Sequence, residues 1–204
     1  VTTEWALVLP GDLDDYDWAV TESRGVLLHA VLQHGSRRFP TIVYDPYRIV
    51  QDAALVTGES GTFYEPNVIL VSEVTQESIR RDGDRLLAGG HLDWLLGLAP
   101  ASGAEWSLAV PDATDWTRVD ELGTLSAELA YGERRFPLTF FDLERLAQAV
   151  GWDGVDDFFE RRSRPRPVDF HEDNVIVLPA LTRHAAKAAV EDLTRRGEFD
   201  WLLG

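Results

Sequence analysis

Two arginine pairs, Arg37–Arg38 and Arg134–Arg135, stand in the same context, RRFP, at 37–40 and 134–137. Adjacent guanidinium groups just past a hairpin turn can form a fork for a carboxylate or a phosphate. These four residues are therefore candidates for anion binding. The chain has a formal net charge of −16, so its own acids compete for them, and pairing with Glu65 and Glu172 is the alternative expectation.

A second cationic group lies in residues 151–169, GWDGVDDFFERRSRPRPVD. Acids lead and arginines follow, an order that suits the dipole of a short helix over 153–162. Trp152, Arg161, Arg162, Arg164 and Arg166 form an arginine and aromatic set of the kind that anchors binding hot spots, and they are the candidate partner-binding residues. The structural alternative is an extra helix whose Phe158 and Phe159 fold back on the core.

Other chemistry finds little support. Cysteine is absent, which excludes disulfides, thiolate metal sites and thiol nucleophiles. The five histidines contain no i, i+4 pair and no HExxH, so neither a metal nor a cofactor is expected. His29 falls on the strand face that carries Leu125, Ala127 and Leu129 in the second half, and is read as pointing into the core. There is no GxGxxG, Walker loop or GxSxG, and no catalytic residue is nominated.

The elements that position these residues occur twice. Residues 63–97 align without a gap to 170–204, with thirteen of thirty-five positions identical. Upstream, EWALVLP at 4–10 recurs as EWSLAVP at 105–111. Six of the seven tryptophans pair across the halves as Trp5/Trp106, Trp18/Trp116 and Trp94/Trp201 and are read as packing residues, with Trp5/Trp106 and Trp94/Trp201 expected in equivalent buried positions. Each half reads as a strand, an acidic connection, a hairpin, a helix, a buried strand and a second helix. Asp45 and Asp142 cap the first helix; Thr75 and Thr182 cap the second. Glu65 and Asn67, with Glu172 and Asn174, are expected to fix a turn before the buried strand. The fold class expected is α+β: two tandem homologous β-β-β-α-β-α units related by pseudo-two-fold symmetry, over 1–99 and 100–204, the second with an insertion at about 151–169.

Composition narrows the partner. Hydrophobic residues at 45% and charged residues at 26% are globular values. No apolar run approaches the ~18 residues of a membrane span, and no basic segment leads into an apolar run at the start, so a cytoplasmic location is expected. Lys187 is the one lysine among nineteen basic residues, a bias associated with high-GC bacterial genomes. A charge of −16 repels nucleic-acid backbones and anionic lipid. The expected function is a non-catalytic acidic interaction protein that binds or neutralises a macromolecular, protein partner. The alternative is an enzyme or small-ligand binder with its site in the cleft between the two units. Either way, treatment with EDTA should leave the melting temperature unchanged in differential scanning calorimetry, and a drop of several degrees would show a structural metal.

Overall fold

The computed structural model describes residues 5–59, 61–88, 92, 105–111, 114–151 and 171–203. Together they make a mixed α+β fold. In the first half, β1 (Trp5–Val8), α1 (Asp15–Arg24), β2 (Val26–His34) and β3 (Arg37–Tyr44) lead to α2 (Pro46–Glu59), β4 (Phe63–Leu70) and α3 (Gln76–Ala88). The second half runs through β5 (Trp106–Ala109), α4 (Trp116–Leu122), β6 (Thr124–Tyr131), β7 (Arg134–Asp142), α5 (Leu143–Ala149), β8 (His171–Leu178) and α6 (Arg183–Arg195). A 3₁₀ turn, Asp200–Leu203, follows.

The capping residues act as their types require. Asp45 Oδ1 accepts from the Arg48 amide at 2.7 Å and Asp142 Oδ1 from the Arg145 amide at 2.7 Å. Thr75 and Thr182 accept from the amides of Ser78 and Ala185, each at 3.1 Å. Each of these bonds satisfies an amide that the helix itself leaves without a partner.

The acidic connection expected between the first two strands of each half is instead helical, so the observed order is β-α-β-β-α-β-α. In α1 the Asp14 carboxylate accepts from the Asp17 amide, the Asp17 carboxylate returns the favour to the Asp14 amide, and left-handed Gly25 ends the helix. In α4, Asp115 caps and Gly123 ends. Glycine is required at both ends, because a Cβ there would overlap the carboxylate of Asp45 or Asp142.

All eight strands form one sheet in the order β1-β2-β3-β4-β8-β7-β6-β5. The crossovers β3-α2-β4 and β7-α5-β8 are parallel, and every other neighbour is antiparallel. At the centre β4 meets β8, with Glu65 opposite Val175 and Val68 opposite Glu172. One face of the central strands is covered by α2 and α5, whose core joins Tyr44, Ile49 and Phe63 to Phe141, Leu146 and Val175. On the other face α3 covers a core with Leu32, Phe39 and Ile79, and α6 covers one with Leu129, Phe136 and Phe199.

His29 does not point inward. Leu27 pairs with Val43 and Ala30 with Thr41, so Leu28 and His29 together oppose the single residue Ile42. This is a β-bulge, with His29 exposed at φ 65° and Leu28 48% exposed. Strand β6 pairs continuously through Ser126 and Ala127, so Ala127 corresponds to Ala30 and the extra residue belongs to β2 alone. One added residue reverses every inside/outside assignment before it.

Asn67 and Asn174 are buried within β4 and β8, not in turns. Their amides donate to the carbonyls of Pro40 (2.9 Å) and Pro137 (2.8 Å) on the parallel neighbour strands. Asn174 also accepts from the Tyr64 hydroxyl at 3.2 Å, and that hydroxyl accepts from the Trp201 indole at 3.2 Å. Replacing Asn174 by alanine strips a partner from two buried groups and should cost roughly 1–3 kcal/mol. Urea denaturation checks this; a loss below ~0.5 kcal/mol would mean that the chain of bonds contributes nothing.

Candidate functional site

The arginine pairs do not make forks. Successive residues of a strand point to opposite faces. Arg37 turns its guanidinium over the Phe39 ring at 5.4 Å, whereas Arg38 is exposed. Arg135, also exposed, donates to the Gly132 and Arg134 carbonyls of its own hairpin and lies 3.9 Å from Glu128. The terminal nitrogens of half-buried Arg134 are enclosed without a hydrogen-bond partner. Glu65, the acid expected to pair with an arginine, instead accepts from the Tyr44 hydroxyl at 3.1 Å. Trp152, Arg161, Arg162, Arg164 and Arg166 lie outside the described residues.

The tryptophans define the larger features. Trp5, Trp18, Trp106, Trp116 and Trp201 are all half-buried and packed against the cores, as packing residues should be, but Trp5, Trp106 and Trp201 are not in the fully buried positions expected of them; Trp94 lies outside the described residues. Trp5 packs on His34 at 5.1 Å and Phe39 at 5.6 Å, and Trp106 packs on Tyr131 at 4.7 Å and Phe136 at 5.5 Å. The remaining surface of each ring lines a groove.

One groove, of about 480 Å³, runs along β1 between the start of α1 and the outer side of α3. Its walls include Trp5, Leu7, Pro10 and Trp18 on one side and Arg80 and Asp84 on the other. Buried Gly83 lets α3 come this close, since a Cβ there would sit 2.8 Å from a Leu7 methyl. The second groove, of about 600 Å³, runs along β5 beside α6 and is lined by Trp106, Leu108, Pro111 and Trp116 facing Lys187 and Glu191. Each residue has its counterpart in the alignment of the halves. Both grooves lie at the outer ends of the sheet, while the junction of the halves, where a cleft was the alternative expectation, is a hydrogen-bonded strand pair.

The most perturbed carboxyl lies away from both grooves. Burial, with Asp52 and Glu198 nearby, pushes Glu65 up to about 7 even though its bond from Tyr44 acts in the other direction. Burial likewise raises the Tyr44 and Tyr64 hydroxyls. Beside them Arg48 pairs with Asp52 at 2.9 Å. Among the described residues no three His, Asp or Glu side chains gather as a metal site, and no helix is long and apolar enough to cross a membrane.

Comparison of the chain with protein-family models, curated proteins and solved structures finds no match.

The raised pKa of Glu65 carries a pH dependence. Between the ordinary value near 4.5 and about 7 the folded chain holds a proton that the unfolded chain has lost. Stability is therefore greatest at the acid side of this window and falls as pH rises through it, by about 1–3 kcal/mol in all. Glu65→Gln keeps an oxygen for Tyr44 and should flatten that slope in denaturation curves taken at pH 4.5 to 8. An unchanged slope would show that Glu65 titrates normally.

Proposed function

We propose that the chain is a tandem duplication of one unit and acts as a non-catalytic acidic protein that binds a protein partner through the paired grooves. The observation that carries this reading is the repetition of partly exposed tryptophans lining two similarly built grooves. Aromatic rings with one face packed and one edge open to a groove are characteristic anchors of protein interfaces. The net charge of −16 favours a basic partner over nucleic acid or anionic lipid. A cytoplasmic setting is consistent with a chain that has no cysteine.

The duplication has its own support at the centre of the sheet. Glu65 faces Val175, the counterpart of Val68, and Val68 faces Glu172, the counterpart of Glu65. Such reciprocal pairing is what a two-fold axis through the β4–β8 pair produces. The exposed Leu28–His29 bulge and the insertion at 151–169 belong to one half each, and are further candidates for partner contact.

A catalytic or small-ligand reading would instead rest on Glu65, a carboxyl pushed up to about 7 beside the Tyr44 hydroxyl. The two readings separate experimentally. Asp84→Trp and Glu191→Trp fill the grooves from exposed helix positions without altering a buried side chain. Affinity capture from source cells should lose its specific partner with the double variant, keep it with Glu65→Gln, and show melting temperatures within a few degrees of the parent. Retention by the groove variant, or loss with Glu65→Gln alone, would overturn the groove reading.

A further inference from the structure

Resting on that reading, we infer that the two grooves differ in what they accept, and that the β1 groove takes a cationic, extended peptide segment. Both share a frame of two tryptophans, a proline and an apolar strand, yet their charges differ. The mouth of the β1 groove is formed by Gly11 and Leu13, and the surrounding residues 12–17 read DLDDYD. Four carboxylates therefore stand within six residues, with Asp12, Asp14 and Asp15 exposed and Tyr16 74% exposed. Across the groove, Arg80 is balanced one helical turn later by Asp84. In the second half the matching stretch, DATDW at 112–116, has two acids, and the helix wall adds Arg183 beside Lys187. Lys187 is itself 3.7 Å from Glu191, which leaves Arg183 in excess.

Asp14 and Asp17 already accept amides of their own helix. Asp12 and Asp15 are the carboxylates available to an incoming cation. Trp18 adds an aromatic surface over which a guanidinium or ammonium group is favoured. The run from Trp5 to Leu9 is long enough for about four or five extended residues at ~3.3 Å each, so an alternating sequence can send apolar side chains to the tryptophans and basic ones to the acids. A carboxylate-rich segment meets more repulsion at this mouth than at the β5 groove, where two acids stand in place of four and Arg183 adds a cation.

The experiment uses a capped eight-residue peptide of alternating arginine and valine, with a glutamate and valine peptide as counter-probe, titrated by calorimetry into the full chain. The arginine peptide should bind with an affinity that falls steeply with salt, and the glutamate peptide should not compete for its site. Asp12→Asn combined with Asp15→Asn should weaken binding about tenfold, Asp84→Trp should abolish it, and Glu191→Trp should leave it unchanged. Binding that survives Asp84→Trp or the double Asn variant, binding lost with Glu191→Trp, or no measurable binding would each overturn the inference. If capture of the cellular partner still depends on groove filling when the arginine peptide fails, the assignment of the grooves stands and only the cation preference falls.

Discussion

The antiparallel pairing of β4 with β8 is the constraint from which the rest of the architecture follows. Each half ends its sheet on a strand whose other neighbour, β3 or β7, is already taken through a parallel crossover. An unpaired buried strand edge at that position would leave a row of amides and carbonyls without partners. Joining the two edges satisfies both rows at once and lets α2 and α5 share one core across the seam. The same pairing sends β1 and β5 to opposite ends of the sheet, and with them the two grooves. A single contact thus decides both what is buried and what is left at the two ends of the sheet.

The seam is polar for a buried region, and its polar groups are arranged so that few go unmet. Asn67 and Asn174 reach sideways to donate to the carbonyls of Pro40 and Pro137 on the neighbouring strands. Tyr64 links Asn174 to Trp201, a residue packed against the cores of both halves, so the closing turn is tied to the seam. Glu65 is the exception in kind: an acid held where its charge is disfavoured, with a neutral hydroxyl as partner. Glu172, at the aligned position, lies opposite Val68, and Phe141, which aligns with Tyr44, has no hydroxyl to offer it.

How far the chain could be read without coordinates depended on whether a signal was local. The caps Asp45, Asp142, Thr75 and Thr182 were legible because a helix start makes the same demand wherever it occurs. The helices α1 and α4 were not: α1 buries no residue, so it shows no apolar stripe, and the signals that marked it were the Asp14/Asp17 pair and Gly25. His29 was misassigned because periodicity assumes an unbroken strand, and one bulged residue defeats it. The same alternation sends the neighbouring arginines of each pair to opposite faces of the strand. Aligning Trp5 with Trp106 and Trp18 with Trp116 in the sequence says nothing of depth; only the placement of α3 and α6 beside the edge strands determines how much of each ring stays uncovered.

That difference between position and depth also bears on where the two halves differ in sequence. Groove residues that touch the cores, Trp5 and Trp106 against Phe39 and Phe136 for example, are confined by close-packed neighbours, and a change of volume there is felt at once. The exposed positions of α1, α3 and α6 carry no such restriction, since a surface charge contributes little to folding. The frame of the grooves is therefore held by packing while their charge is free to vary: Gln76 faces Arg183 in the comparison of the two helices, and the four acids of 12–17 face two at 112–116. In two grooves built this way, the surface charge can change at one end of the sheet with no change to the core or to the other end.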